Sequence, residues 1–150
     1  MRDAELENIL LDSSIIRNRL KVYSVRRNAE VALVIQKEFG SLDAYFWHFI
    51  ASLQRGIPLM REGDFVAEKN PQSSPSLQTI PLKRSSGLPL INHPQHADDF
   101  IGESDISHMI SKDLKKRGMS FVGPTIIYAF MQATGMVDDH LDSCFRKRAP

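Results

Sequence analysis

Residues 104–135 read SDISHMISKDLKKRGMSFVGPTIIYAFMQATG, and the order of apolar, basic and glycine positions along this stretch decides the fold. Ser104 suits a helix N-cap, because its side-chain oxygen can accept from a first-turn amide. Ile106, Met109, Ile110 and Leu114 follow at helical spacing, with Lys112, Lys115 and Lys116 outside that stripe. Gly118 ends this helix, and Met119 to Gly123 make a short turn. Pro124 fits the first position of the next helix, where a missing amide proton costs nothing. Ile126, Ile127, Phe130 and Met131 carry that second helix until Gly135 stops it.

A helix, a tight glycine-bounded turn and a second helix form the layout of a helix-hairpin-helix, which holds a DNA phosphate. Amides of the hairpin and of the following helix N-terminus point outward together, and the helix dipole favours an anion. Glycine lets the phosphate approach the backbone closely. Such contacts position a protein without reading sequence. The candidate DNA-binding residues are Lys115, Lys116, Gly118, Phe121, Val122, Gly123 and Thr125. On pattern alone, an ordinary antiparallel helix pair with a short turn reads equally well.

Toward the N-terminus the spacing predicts three more helices. Leu6, Ile9 and Leu10 mark the first, broken by Asp12-Ser13-Ser14. Ser14 is the expected cap of a long second helix over 15–39, with Val22, Val25, Ala29 and Ala32 on its core face, widened by Leu33 and Ile35. After Gly40, Ser41 or Asp43 opens a third helix bearing Leu42, Phe46, Phe49, Ile50 and Leu53, with Trp47 beside them. Between 56 and 103 the pattern fails: the stretch holds Pro58, Pro71, Pro75, Pro81, Pro89 and Pro94 and sustains no period. It is read as a disordered insertion, too poor in apolar surface to offset ordering entropy, with local contact by Ile80-Pro81-Leu82 or Leu88-Pro89-Leu90-Ile91 left open. Asp138 or Asp139 is expected to cap a last short helix with His140 and Cys144. The organisation is thus 1–55 central helices, 56–103 insertion, 104–145 hairpin and last helix, and 146–150 a basic tail.

Composition narrows the class. The 150 residues carry a net charge of +1, 42% hydrophobic and 25% charged residues, as in an ordinary globular protein. No run of about 18 apolar residues suggests a membrane span, and the acidic start lacks the apolar core of a signal peptide. A single cysteine, Cys144, excludes an internal disulfide and points to a reducing, intracellular setting, bacterial cytoplasm or eukaryotic nucleus. With so little net charge, DNA contact must come from local patches: Arg17, Arg19, Lys21, Arg26 and Arg27; Lys112, Lys115, Lys116 and Arg117; Arg146, Lys147 and Arg148. Each patch taken alone reads as a solvated face or tail.

The run from Lys112 through Phe121-Val122-Gly123-Pro124-Thr125 to Asp138-Asp139-His140 closely resembles the C-terminal signature of the 3-methyladenine DNA glycosylase I family. Ile15-Ile16-Arg17-Asn18-Arg19-Leu20-Lys21, then Asn28-Ala29, and then Tyr45-Phe46-Trp47-His48-Phe49-Ile50 are similar to that family's central helices in the same order. The resemblance implies an all-α, helix-hairpin-helix glycosylase-like domain with a long insertion, its N-terminal part lying upstream of the matched region. It implies base-excision repair: a monomeric enzyme that flips an alkylated adenine from double-stranded DNA and hydrolyses its N-glycosidic bond. The residues that hold the flipped base in that family lie upstream, so no catalytic residue is carried over. This chain is therefore expected to be incomplete for catalysis; the alternatives are a non-catalytic DNA-binding remnant and a helical domain without a nucleic-acid role. Glu38 ends a helix beside Lys37, and neither it nor Trp47 is promoted to the missing role.

The same resemblance makes His140 and Cys144 two of the four ligands of a structural zinc. Residues four apart share one helical face, so an imidazole and a thiolate can reach one ion. His93, His96 and His108 are the conceivable replacements for the other pair, and loop histidines are more often simply polar.

Overall fold

The structure is a computed structural model, and it describes residues 1–54 and 88–147. Its helices are α1 (Asp3–Leu11), α2 (Arg19–Phe39), α3 (Leu42–Gln54), α4 (Asp105–Lys116) and α5 (Pro124–Ala133). Two short strands, β1 (Leu90–Ile91) and β2 (Val137–Asp138), pair in parallel with Leu90 opposite Val137. A 3-10 turn spans Ala97–Asp99. None of the described helices is long and apolar enough to cross a membrane.

The core joins Ile35 of α2, Tyr45 and Ile50 of α3, and Ile106, Ile110 and Leu114 of α4 to Ile127, Tyr128 and Met131 of α5, with Met136 and Val137 beyond them. Helices α4 and α5 pack together more extensively than any other pair among the described elements. Ser104 caps α4 as its residue type predicts, accepting from the Ser107 amide at 3.3 Å. Ser41 likewise accepts from the Ala44 amide at 2.9 Å at the start of α3. Both α4 and α5 end in the same device. The Gly118 amide donates to Lys115 and the Met119 amide to Leu114, and Gly135 and Met136 repeat this onto Gln132 and Met131. Gly118 and Gly135 take positive φ angles of 100° and 72° to close these caps.

Helix α2 departs from expectation at its start and in its face. It begins at Arg19, with Asn18 accepting from the Lys21 amide at 3.1 Å. Ser14 is no cap: its amide donates to Asp12 Oδ1 at 2.8 Å, a local turn that competes with helix. The face that enters the core carries Val31, Ile35 and Phe39. Val25, Ala29 and Leu33, expected inside, are exposed. Helix α1 is held to α2 by polar contacts that use much of the first basic patch. Arg19 binds Glu7 at 2.6 Å, Arg26 binds Asp3 at 2.6 Å, and the Tyr23 hydroxyl donates to Glu7.

The disorder expected over 56–103 does not hold for 88–103. From Leu88 onward the chain is engaged: Leu90 donates to the Met136 carbonyl, Asn92 to that of Asp138, and the Gln54 amide group reaches the Leu88 carbonyl at 2.6 Å. The part of that expectation falling on 55–87 lies outside the described residues.

The last helix expected after Asp138 is absent from the described residues. Val137 and Asp138 are taken into strand pairing, and Asp138 Oδ1 accepts the His140 amide at 3.0 Å, turning the chain. Residues 139–147 continue as turns, tied to 92–95 by the Asp142 amide on the Pro94 carbonyl and by the Lys147 ammonium on the Asn92 carbonyl. With a side chain only 10% exposed, Lys147 belongs to this latch and not to a basic tail.

Candidate nucleic-acid interface

The hairpin between α4 and α5 is built with its carbonyls turned into the protein. Arg27 of α2 donates from Nε to the Gly118 carbonyl at 2.8 Å. Asn28 grips Ser120 twice, donating from Nδ2 to its carbonyl at 2.9 Å and accepting its amide on Oδ1 at 2.9 Å. The buried Ser111 hydroxyl donates to the Val122 carbonyl at 2.6 Å, and the Gly123 carbonyl accepts the Ile127 amide inside α5. The Val122 side chain packs against the core. The loop is therefore fixed from behind on both sides.

The amides divide differently along the loop. Those of Gly118 and Met119 close the end of α4, and that of Ser120 belongs to Asn28. The amides of Phe121, Val122, Gly123, Thr125 and Ile126 have no acceptor among the described residues. Phe121 is the one residue other than glycine with positive φ among the described residues, at 59°, and its ring is half exposed. A left-handed residue flanked by right-handed or extended neighbours directs successive amides to one side, making an anion-binding concavity. An ideal Cβ on Gly123 would meet nothing within 4 Å, so the surface there is open to an incoming group. Gly118 serves the bend instead, since a Cβ there would stand 3.0 Å from Arg27 Nη2.

Around this loop the side chains of Lys115 and Lys116 are exposed, and the Thr125 hydroxyl lies 3.4 Å from Glu103. Arg117, unlike Lys115, is engaged inside the protein. Its guanidinium is bound by Glu38 at 2.5 Å and by Asp113 at 2.6 Å, over the rings of Phe39 and Tyr45. The Glu38 carboxylate is the largest influence holding Arg117 in its charged form. Burial, reinforced by the Asp113 carboxylate, pushes the Tyr45 hydroxyl far above its ordinary pKa, so it stays a donor to Asp113. Glu38 is thus engaged in an ion-pair network.

The sequence alone did not assign Arg27, Asn28 or Ser111 to the hairpin. A signal was present: Asn28 shares the helical register of Val31 and Ile35 on α2, and Ser111 lies on the apolar face of α4, where a polar side chain needs a partner.

His140 and Cys144 do not share a helical face, because no helix forms there. His140 Nδ1 is 2.8 Å from Asp138 Oδ1, and Cys144 is half buried. His93 instead pairs with Asp142 at 3.0 Å, and His108 with Glu103 at 3.2 Å. No group of three or more His, Cys, Asp and Glu side chains suited to a metal ion occurs among the described residues. The described residues therefore do not complete a zinc site. Asp139 accepts from Tyr128 at 2.7 Å, Asn92 at 2.5 Å and Gln132 at 2.6 Å, a tie between α5 and the β1 segment.

Comparison with known proteins follows the same outline. The methyladenine glycosylase family model matches residues 1–80 and 67–147. The DNA-3-methyladenine glycosylase of Haemophilus influenzae is 28% identical over 144 residues, covering 96% of this chain and 59% of the relative. DNA-3-methyladenine glycosylase 1 of Escherichia coli is 29% identical over 146 residues, covering 96% and 58%. A crystal structure of 3-methyladenine DNA glycosylase I superposes with a TM-score of 0.69 at 28% identity, over 99% of this chain and 62% of that one. The Staphylococcus aureus enzyme, solved for the structural basis of 3-methyladenine recognition, shares the fold with a TM-score of 0.71 at 23% identity, over 100% and 61%. The chain thus spans about three-fifths of the length of these relatives. It belongs to the methyladenine glycosylase family.

Proposed function

We propose that this chain is the DNA-holding portion of a DNA-3-methyladenine glycosylase, acting inside the cell on double-stranded DNA that carries alkylated bases, as a monomer at full family length. The observation that carries this reading is the loop between α4 and α5, whose carbonyls at Gly118, Ser120 and Val122 are tied inward while the amides of Phe121, Val122, Gly123, Thr125 and Ile126 have no acceptor among the described residues. Those donors, at the N-terminus of α5 and beside Lys115 and Lys116, suit a phosphate oxygen. Anchored there, the duplex presents a damaged nucleotide for extrusion, which costs least where pairing is already weakened. Methylation at N3 makes adenine cationic and a good leaving group, so hydrolysis of its N-glycosidic bond needs modest chemical help. On the family resemblance, the residues that hold the flipped base lie upstream of the matched region.

The test is a DNA titration at several salt concentrations. Lys115→Ala with Lys116→Ala should weaken binding to all sequences alike and lower the salt slope by about 2, near one for each phosphate that a lysine no longer neutralises. An unchanged slope would place the phosphate-binding cations elsewhere. The alternative reading is a DNA-binding portion that does not itself excise the base. The 150 residues alone are expected to bind methylated duplex without releasing 3-methyladenine; release of the free base would overturn that expectation.

His140 and Cys144 are proposed as two of the four ligands of a structural zinc, the other pair being placed by the resemblance near the family's N-terminus. No chemical step passes through it. With cobalt in place of zinc, a fusion that supplies the family's N-terminal part ahead of Met1 is expected to show thiolate-to-metal charge-transfer absorption that Cys144→Ser abolishes. Absence of that band in the fusion with Cys144 unaltered would remove Cys144 from the site.

A further inference from the structure

Two features beside the hairpin are not needed to hold it together, and both line the same groove. The groove, of about 690 Å3, lies between the first half of α2 and the loop, with Tyr23, Ser24 and Arg27 on one side and Ser120 and Phe121 on the other. The first feature is the charge of Arg27. Its Nε secures the Gly118 carbonyl at 2.8 Å, a task that a neutral donor could perform. Its two terminal nitrogens have no acceptor, and its charge no carboxylate partner, among the described residues. The neighbouring groups are matched. Arg26 binds Asp3 at 2.6 Å and is held charged by that hydrogen bond first, with Glu30 adding to it. The Tyr23 hydroxyl donates to Glu7, and the Ser24 hydroxyl to the Lys21 carbonyl at 2.7 Å. Arg27 thus brings an uncompensated guanidinium to the groove, and its anchored Nε limits where that group can sit.

The second feature is the ring of Phe121. At a φ of 59° glycine is the least strained residue, and it would present the same backbone amides. A phenylalanine stands there instead, its side chain 51% exposed and lining the groove. A guanidinium with two free terminal nitrogens matches two oxygens of a phosphodiester, and an aromatic face beside it can cover the sugar that joins one phosphate to the next. We propose that this groove is a second backbone site for duplex DNA, separate from the hairpin amides, in which Arg27 pairs with a phosphate and Phe121 packs on the adjoining deoxyribose.

The inference rests on the hairpin reading, since both contacts belong to one duplex, and DNA titrations of the full chain at several salt concentrations separate the two. Arg27→Gln places its Nε2 at the same bond distance from the backbone as the arginine Nε, so the Gly118 carbonyl keeps a donor while the charge is lost. The slope of log affinity against log salt should fall by about 1, with Lys115 and Lys116 intact. Arg27→Lys should restore it. Phe121→Gly should weaken binding about fivefold at an unchanged slope. Its thermal midpoint should move by less than about 2 °C, because relief of the left-handed backbone offsets the added freedom of the unfolded chain. A slope unchanged by Arg27→Gln, whatever its midpoint, would leave Arg27 only a strut of the hairpin and overturn the proposal. Full affinity in Phe121→Gly would overturn the contact assigned to the ring. If the paired lysine substitutions prove silent while Arg27→Gln still lowers the slope, the hairpin reading fails and the groove stands.

Discussion

Replacing Arg117 by methionine should lower the free energy of unfolding by about 3 kcal/mol, a large share of the stability of a domain this size. The side chain is only 14% exposed and bridges Asp113 of its own helix to Glu38 at the end of α2. Removing it leaves two carboxylates near each other, with Asp113 retaining the Tyr45 hydroxyl at 2.7 Å. Methionine keeps much of the stem volume over the Phe39 and Tyr45 rings, so the destabilisation reports the charge and its hydrogen bonds more than a cavity. Lysine should recover only part of it, because one ammonium cannot reproduce a guanidinium that engages Glu38 through two nitrogens and Asp113 through a third. Denaturant midpoints at constant slope measure this directly. If Arg117→Met left stability unchanged but flattened the salt dependence of DNA binding, Arg117 would move from the scaffold to the DNA interface.

Arg117 also illustrates what could be read from the letters and what could not. Sequence spacing places it in a basic run with Lys112, Lys115 and Lys116, and linear order cannot tell a lysine facing solvent from an arginine turned inward. That distinction depends on Glu38 and Tyr45, which are distant in the chain. The helices α4 and α5 and their boundaries were legible because capping chemistry is local: Ser104, Gly118, Pro124 and Gly135 each act within a few residues of themselves. The buried face of α2 was not legible. Its apolar residues run nearly around the helix, and which side is covered is set by α3 and α4, not by period alone. The end of the chain failed for a related reason. Asp138 is a good helix cap by type, but pairing of Val137 and Asp138 with Leu90 and Ile91 fixes an extended backbone first. Such pairing joins segments nearly fifty residues apart, beyond the reach of local propensity. The candidate interface was therefore readable as a loop, while the side chains that set it in place were not.

Those side chains give the second large effect. Asn28→Ala should cost about 2 kcal/mol of stability, since it removes two hydrogen bonds and leaves the Ser120 amide and carbonyl without their partner. The consequence for binding should be larger than for an exposed lysine, and different in kind. Asn28 and Arg27 hold the base of the hairpin against α2. Without the Asn28 clamp the amides beyond Ser120 lose their common direction and must be ordered again when a phosphate arrives, a cost incurred with every sequence. Affinity for duplex DNA should fall about tenfold, equivalent to about 1.4 kcal/mol, while the salt slope stays the same, because no cation has been removed. Asn28→Asp sharpens the distinction. Its carboxylate can still accept the Ser120 amide but faces the Ser120 carbonyl with an oxygen where a donor stood, so it should be worse than alanine for binding and add a repulsive charge near the DNA. A salt slope altered by Asn28→Ala, or full affinity in a folded Asn28→Ala protein, would show that the loop does not need to be prearranged. The phosphate would then be held by the lysines alone.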